Sequence, residues 1–275
     1  MGLLKDFKYH APATIQEALK LLQKSSTPLI LAGGTFVLNY LKKSVQYPTD
    51  VISLRKIKVL KGIKDEKKGV SIGALTTIAE LLELPVIKEH FFSLYDACQH
   101  LATTPLRNMA TIGGNLASRF YWVDLPAVLI SLGAKVCLET SKAKETLSIE
   151  DFLKQKPSSK FILTSVFLPK KDLIAFYFRH TRGSSVDVAS LALAFSAFQE
   201  DQSLESVRFV VNTVTSFPVR LRSTEAIFEG ETLAKINEKE AILVLQKDLE
   251  NVKLDEYRRH CLEVDLGSLL KLLKD

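Results

Sequence analysis

The sequence predicts an α+β chain in two parts, a larger one over residues 1–169 and a smaller one over 170–275. Three observations carry that prediction. Short apolar runs alternate with helix-start signals through the first half. The composition changes across Pro157–Pro169. Beyond it three long strand patterns come in series, followed by helical ones, an order that suits a sheet with helices on one face. At about 150 residues per domain, 275 residues also leave room for one large domain or two modest ones.

The elements follow in order. Thr14-Ile15-Gln16-Glu17 is a capping box, in which hydroxyl and carboxylate can each satisfy an orphan N–H at a helix start. Ile15, Ala18, Leu19 and Leu22 then recur at helical spacing until Ser25-Ser26-Thr27. Pro28–Ala32 reads as a buried strand running into Gly33-Gly34-Thr35. Val51–Leu54, Val59–Ile63 and Val70–Ile72 are apolar runs separated by charged turns such as Lys64–Gly69, the pattern of a small meander. A second capping box, Thr77–Glu80, starts a short helix, and a longer helical pattern covers Ser93–Ala102. Pro105 and the run Arg107–Asn115 read as an irregular loop, Pro126–Leu132 as a helix and Lys135–Thr140 as a strand. In the second part, Ile174–His180, Val188–Phe198 and Val207–Val214 predict a three-stranded antiparallel sheet. Helices are expected at Thr224–Phe228, at Glu238–Leu249 and near the end.

Composition excludes several classes. With 47% hydrophobic and 25% charged residues the chain is globular rather than disordered. Cys98, Cys137 and Cys261 are odd in number and far apart, so they make neither a disulfide framework nor a metal knuckle, and a reducing compartment is expected. His10, His90, His100, His180 and His260 show no HxH or HExxH spacing, so no metal site is expected. Cys98 and His100 stand two apart on a helix and do not face each other. The polar start Met1–Lys8 lacks a signal peptide's apolar core, and no stretch reaches the roughly 18 apolar residues of a membrane span. A soluble, cytoplasmic protein is expected. The net charge is +6, but pairs such as Lys42-Lys43, Lys67-Lys68 and Lys170-Lys171 are scattered, which reads as a solvated surface and not as a nucleic-acid face.

The chemistry points to two glycine pairs, Gly33-Gly34 and Gly113-Gly114. Glycine lets a ligand approach main-chain N–H groups, and consecutive donors in a turn suit phosphate oxygens. Thr35, Thr111 and Asn115 add hydroxyl and amide groups beside them. Brought together, two such turns could grip a pyrophosphate from both sides. Neither is GxGxxG or a P-loop, and either alone is equally a tight turn without a ligand. Phe120-Tyr121-Trp122 is an aromatic run that suits the wall of a flat ring, a core or an interface.

In their contexts the glycine pairs resemble the flavin-binding subunit of the molybdenum hydroxylases. That family includes the medium subunit of aerobic carbon monoxide dehydrogenase and the flavin part of xanthine dehydrogenase. The resemblance runs through Phe7–Pro12, Leu31–Thr35, Ile72–Thr77, Arg107–Leu116 and Asp124–Ala127. It continues through Ile162–Pro169, Arg179 with Asp187, Pro218-Val219-Arg220 with Glu225 and Gly230, and Tyr257–Arg259. It implies a two-part α/β FAD-binding domain of the PCMH/vanillyl-alcohol-oxidase-like kind over 1–169, with subdomains of about 1–55 and 56–169. A C-terminal α+β domain of the CO dehydrogenase flavoprotein type would follow.

It also implies roles. Ala32, Gly33, Gly34, Thr35, Phe36 and Val37 would wrap the FAD pyrophosphate. Thr111, Gly113, Gly114 and Asn115 would hold it from the other side, with a hydroxyl from Ser118. Asp124 would accept hydrogen bonds from the adenosine ribose or adjoining groups, and Ile162 or Leu163 would supply main-chain contacts near the isoalloxazine. Arg179 would stand at the flavin's polar edge, with no other residue assigned to catalysis. Electrons would come from a two-iron ferredoxin-like subunit, itself served by a molybdopterin-binding large subunit, and pass through FAD to NAD or another acceptor. Three positions depart from the family: Phe36 replaces a polar residue, Arg179 stands where lysine is usual, and Tyr121 where proline is common. Phe36 and the aromatic run Phe120–Trp122 motivate an alternative, a structural subunit of the same fold that has lost flavin binding.

Overall fold

A computed structural model describes residues 6–37, 41, 47–155, 160–183, 187–200 and 203–274. The N-terminal Met1–Lys5 and the pair Lys42-Lys43, both read above from sequence, lie outside the described residues. The chain divides into two compact units interleaved in sequence. One comprises Met1–Glu83, Thr103–Ser118 and Lys135–Leu168; the other comprises Leu84–Ala102, Arg119–Ala134 and Pro169–Asp275.

The first unit holds two sheets. Strands β1 (Lys8–His10), β2 (Pro28–Leu31) and β3 (Asp50–Ser53) form a parallel sheet in the order β1-β3-β2. Helix α1 (Ile15–Lys24) crosses between the first two strands, starting where Thr14 Oγ1 accepts the Glu17 N–H at 3.2 Å. Its Ala18, Leu19 and Leu22 enter a core with Ile52, Leu54 and Ile162. At the start of β3, Asp50 accepts hydrogen bonds from Ser25 Oγ at 2.5 Å and Thr49 Oγ1 at 2.7 Å, with His10 Nε2 at 2.8 Å. These bonds hold its carboxyl at about 2, below the usual 3.8.

The second sheet has five strands in the order β4-β5-β8-β6-β7, over Ile63–Glu66, Gly69–Gly73, Ile162–Pro169, Lys135–Glu139 and Lys144–Ser148. The expected strand Val59–Ile63 is instead a 3₁₀ turn at Lys58–Leu60 with a strand beginning only at Ile63. Leu60 faces the core there while Val59 is exposed, so the apolar run is not one sheet face. The second capping box is present in full: Thr77 Oγ1 accepts the Glu80 N–H, and Glu80 accepts the Thr77 N–H, at the start of α2 (Ile78–Leu82).

The second unit is built on an antiparallel sheet in the order β12-β11-β10-β9. Its long strands are β9 (Leu173–Thr181), β10 (Ala189–Glu200) and β11 (Ser203–Asn212), and β12 (Val219–Arg220) adds a two-residue edge. Along β10 side chains alternate in size. Leu191, Leu193 and Phe195 face a core shared with Phe209 and Phe228 and with Leu262, Leu266 and Leu269 of the C-terminal helix Glu256–Lys274. Ser190, Ala192, Ala194 and Ser196 point the other way. These small side chains admit the helix Leu125–Ser131 from earlier in the chain, and Phe92–His100 packs beside that helix against β9. The Ser196 hydroxyl donates to the Ser131 carbonyl at 2.6 Å. The sheet therefore carries the expected C-terminal helices on one face and these two on the other.

Candidate functional site

The first glycine pair sits where β2 gives way to a turn. Gly34 has φ +84°, a conformation that L side chains adopt only under strain. A Cβ on Gly33 would lie 1.9 Å from the Met109 carbonyl oxygen, so only glycine lets this turn lie against the second glycine segment. Arg55, just past β3, donates from Nε to the Ala32 carbonyl at 2.9 Å and from Nη2 to the Gly33 carbonyl at 2.8 Å. Among the described residues no hydrogen bond takes up the N–H groups of Gly33 and Gly34.

The second pair is built differently. The expected irregular loop contains a helical turn at Thr104–Arg107, and Gly113-Gly114 lie inside a helix, Ile112–Ser118. Thr111 overrides the glycines' low helix propensity: its Oγ1 accepts the Gly114 N–H at 3.1 Å and its carbonyl accepts the Asn115 N–H at 2.9 Å. The Ile112 and Gly113 N–H groups donate to the Thr76 and Ala74 carbonyls. Gly113 is glycine because a Cβ would lie 2.6 Å from that of Ala74. The sequence-based picture of two equivalent N–H cradles is therefore corrected: the N–H groups of this second segment are already taken. What it offers is side chains. Among the described residues Asn115 Oδ1 is buried with no partner, while the Ser118 hydroxyl donates to the Asn115 carbonyl at 2.7 Å.

Buried polar atoms left unpaired are uncommon and costly. Two unclaimed N–H donors in the first loop suit the oxygens of an anion. The orphaned Asn115 oxygen suits a hydroxyl donor. A dinucleotide carries both, a diphosphate and ribose hydroxyls, so the residues present fit one.

Asp124 and Arg179 form a separate cluster in the second unit. Tyr177 and Arg179 stand two apart on β9 and so share a face. The Tyr177 hydroxyl donates to Asp124 Oδ1 at 2.6 Å and Arg179 Nε to the same oxygen at 3.1 Å. Arg179 Nη2 also donates to the Asp187 carbonyl at 2.6 Å. Asp124 stands at the start of helix Leu125–Ser131 without capping it, because its carboxylate is turned to these partners. Burial first, and the Asp124 carboxylate next, push the Tyr177 hydroxyl well above its usual range, which keeps it a donor. Nearby in sequence, the Phe120 and Trp122 rings stack 4.5 Å apart. Tyr121, half exposed, and Trp122 line a cavity of about 210 Å³ with Arg182, Asp187 and Arg258.

Of the sequence-predicted residues, the structure brings Ala32, Gly33 and Gly34 against the segment that leads to Thr111, Gly113 and Gly114; a Cβ on Gly114 would lie 4.0 Å from that of Ala32. Thr35 and Val37 follow in the same turn half-buried, and Phe36 is exposed. The side chains of Ile162 and Leu163 are core, which leaves only their main chain for a ligand. Sequence reasoning missed Arg55 and Tyr177. Nothing marks Arg55 in the sequence, but the period of two along β9 already placed Tyr177 beside Arg179. The five expected-unremarkable histidines include three paired with carboxylates, His10–Asp50, His100–Asp96 and His180–Asp265. Among the described residues no group of three His, Cys, Asp or Glu is placed to hold a metal ion, and no helix is long and apolar enough to cross a membrane.

A parallel sheet ending in a glycine turn with two unclaimed N–H donors is an arrangement able to receive a phosphate-bearing cofactor. Residues 5–171 match the FAD binding domain in molybdopterin dehydrogenase, and the chain belongs to that family. It is 34% identical over 151 residues to the nicotinate dehydrogenase FAD-subunit of Eubacterium barkeri, a match that spans 54% of this chain and about half, 51%, of that protein. It is 25% identical over 232 residues to the glyceraldehyde dehydrogenase medium chain of Sulfolobus acidocaldarius, covering 83% of each. In fold it resembles a chain of carbon monoxide dehydrogenase from Hydrogenophaga pseudoflava, with a TM-score of 0.85 at 24% identity over 98% of this chain and 96% of that one. The cofactor of this family's domain is FAD, and the α+β class expected from sequence is the one observed.

Proposed function

We propose that this chain is the flavin subunit of a molybdenum-hydroxylase-like dehydrogenase complex, with its FAD-binding part over 1–169 and a C-terminal domain over 170–275. The observation that carries the reading is the pair of unclaimed N–H groups at Gly33 and Gly34, set against a second segment that contributes an unpaired Asn115 oxygen. When bound, FAD would supply the redox chemistry, accepting electrons from a two-iron subunit served by a molybdopterin-binding subunit and yielding them to NAD or another acceptor.

This chain's own residues bind and orient. The turn Ala32–Val37 takes the diphosphate through main-chain donors, which solvate its charge without an arginine cluster. Thr111, Gly113 and Gly114 hold the second segment close, and Asn115 and Ser118 present polar side chains to the cofactor's hydroxyls. Ile162 and Leu163 contribute main chain alone. Asp124 and Arg179 serve each other first. Any share they take in binding flavin rests on the resemblance.

The test is to purify the chain, alone and co-expressed with candidate two-iron and molybdopterin subunits, after reconstitution with excess FAD. A flavin absorbance spectrum that bleaches when the complex is given a reducing substrate is expected. Absence of flavin under both conditions overturns the reading, and leaves the structural-subunit alternative that Phe36 and the Asp124–Arg179 pairing favour.

A further inference from the structure

We propose that Arg55 is a positioning residue for the diphosphate-binding turn, acting through the two peptide groups on either side of Gly33. The inference rests on the flavin reading above. Its starting point is which atoms the guanidinium holds. The Ala32 carbonyl belongs to the same peptide group as the Gly33 N–H, and the Gly33 carbonyl to the same group as the Gly34 N–H. Arg55 thus bonds the two peptide groups whose N–H donors are unclaimed.

A trans peptide sets its C=O and N–H antiparallel. Two carbonyls gathered onto one guanidinium therefore turn two N–H groups together toward the opposite side, where an anion would lie. A donor on the carbonyl also polarises the peptide and strengthens its N–H as a donor. The rigid fork of arginine suits two acceptors at once, which a lysine's point charge does not.

The sequence places the fork without strain. The Leu54 N–H donates to the Leu31 carbonyl at 2.9 Å, extending the pairing of β2 and β3 by one step. One residue on, the backbone ladder ends and the Arg55 side chain takes over the next two carbonyls. Among the described residues no carboxylate pairs with Arg55, so its charge stays unneutralised beside the turn.

The experiment uses the full chain and calorimetric titration with FAD, ADP and adenosine. For Arg55→Met the expected result is a loss of about tenfold or more in affinity for FAD and ADP, the scale of one charge-assisted hydrogen bond. Adenosine affinity should not move, because adenosine carries no phosphate for the turn to hold, and the urea midpoint of the apo chain should shift little, because the two carbonyls released lie in an exposed region where water can bond them. Arg55→Lys should recover only part of the loss, and ADP binding should become less salt-dependent in Arg55→Met than in wild type. Wild-type FAD and ADP affinity in Arg55→Met overturns the proposal, and so does an equal loss for adenosine. Should wild type bind ADP in an Arg55-dependent manner yet take up no FAD, the flavin reading fails and the role of Arg55 stands.

Discussion

Gly33→Ala is expected to lower FAD affinity by about a hundredfold and to destabilise the apo chain by about 1–3 kcal/mol, the usual cost of forcing atoms into a packed site. The new Cβ would meet the Met109 carbonyl oxygen at 1.9 Å. That oxygen is backbone and cannot swing aside as the end of a long side chain can. The turn must shift instead, carrying the Gly33 and Gly34 N–H groups out of register with the second segment. Gly62→Ala is the matched control. Gly62 has φ +101° but nothing within 4 Å of a Cβ, so its variant pays conformational strain of about 1 kcal/mol and keeps flavin. Titration with FAD and urea denaturation of both variants check the pair. Equal flavin affinity in Gly33→Ala and wild type contradicts the proposed site.

Asp124→Ala carries the second large effect, a destabilisation of about 3–5 kcal/mol, as when one member of a buried ion pair is removed. The side chains of Asp124 and Arg179 are 6% and 11% exposed. Truncation leaves the guanidinium without its counter-charge and the Tyr177 hydroxyl without its acceptor. Asp124→Asn keeps an acceptor for Tyr177 and should cost less. The double variant Asp124→Ala with Arg179→Met should cost less than the sum of its parts, because the orphaned charge is gone. A urea midpoint for Asp124→Ala within experimental error of wild type would show that the cluster contributes little to the second unit.

Much of this molecule is legible in its sequence where local signals decide. Both Thr-x-x-Glu signals start helices, although only Thr77–Glu80 closes a full capping box, Glu17 accepting the Ala13 N–H instead of that of Thr14; the three long C-terminal strand patterns become β9, β10 and β11. The reading failed where tertiary contacts decide. Gly113-Gly114 look like a turn, yet the Thr111 cap and the close approach of Ala74 place them in a helix. In Ala189–Glu200 every early position is apolar or small, so hydropathy hides the large–small alternation that admits a distant helix, Leu125–Ser131. The site divides the same way. The first glycine turn is visible from its residues, whereas Arg55 is an exposed cation whose importance lies wholly in the carbonyls that the neighbouring strand presents.

A crystal structure of the chain with FAD bound would locate the anion. Diphosphate oxygens are expected within hydrogen-bonding distance of the main-chain nitrogens of Gly33 and Gly34, with Arg55 still bridging the carbonyls behind them. A diphosphate bound elsewhere on the chain, with those two nitrogens facing only water, would contradict that placement.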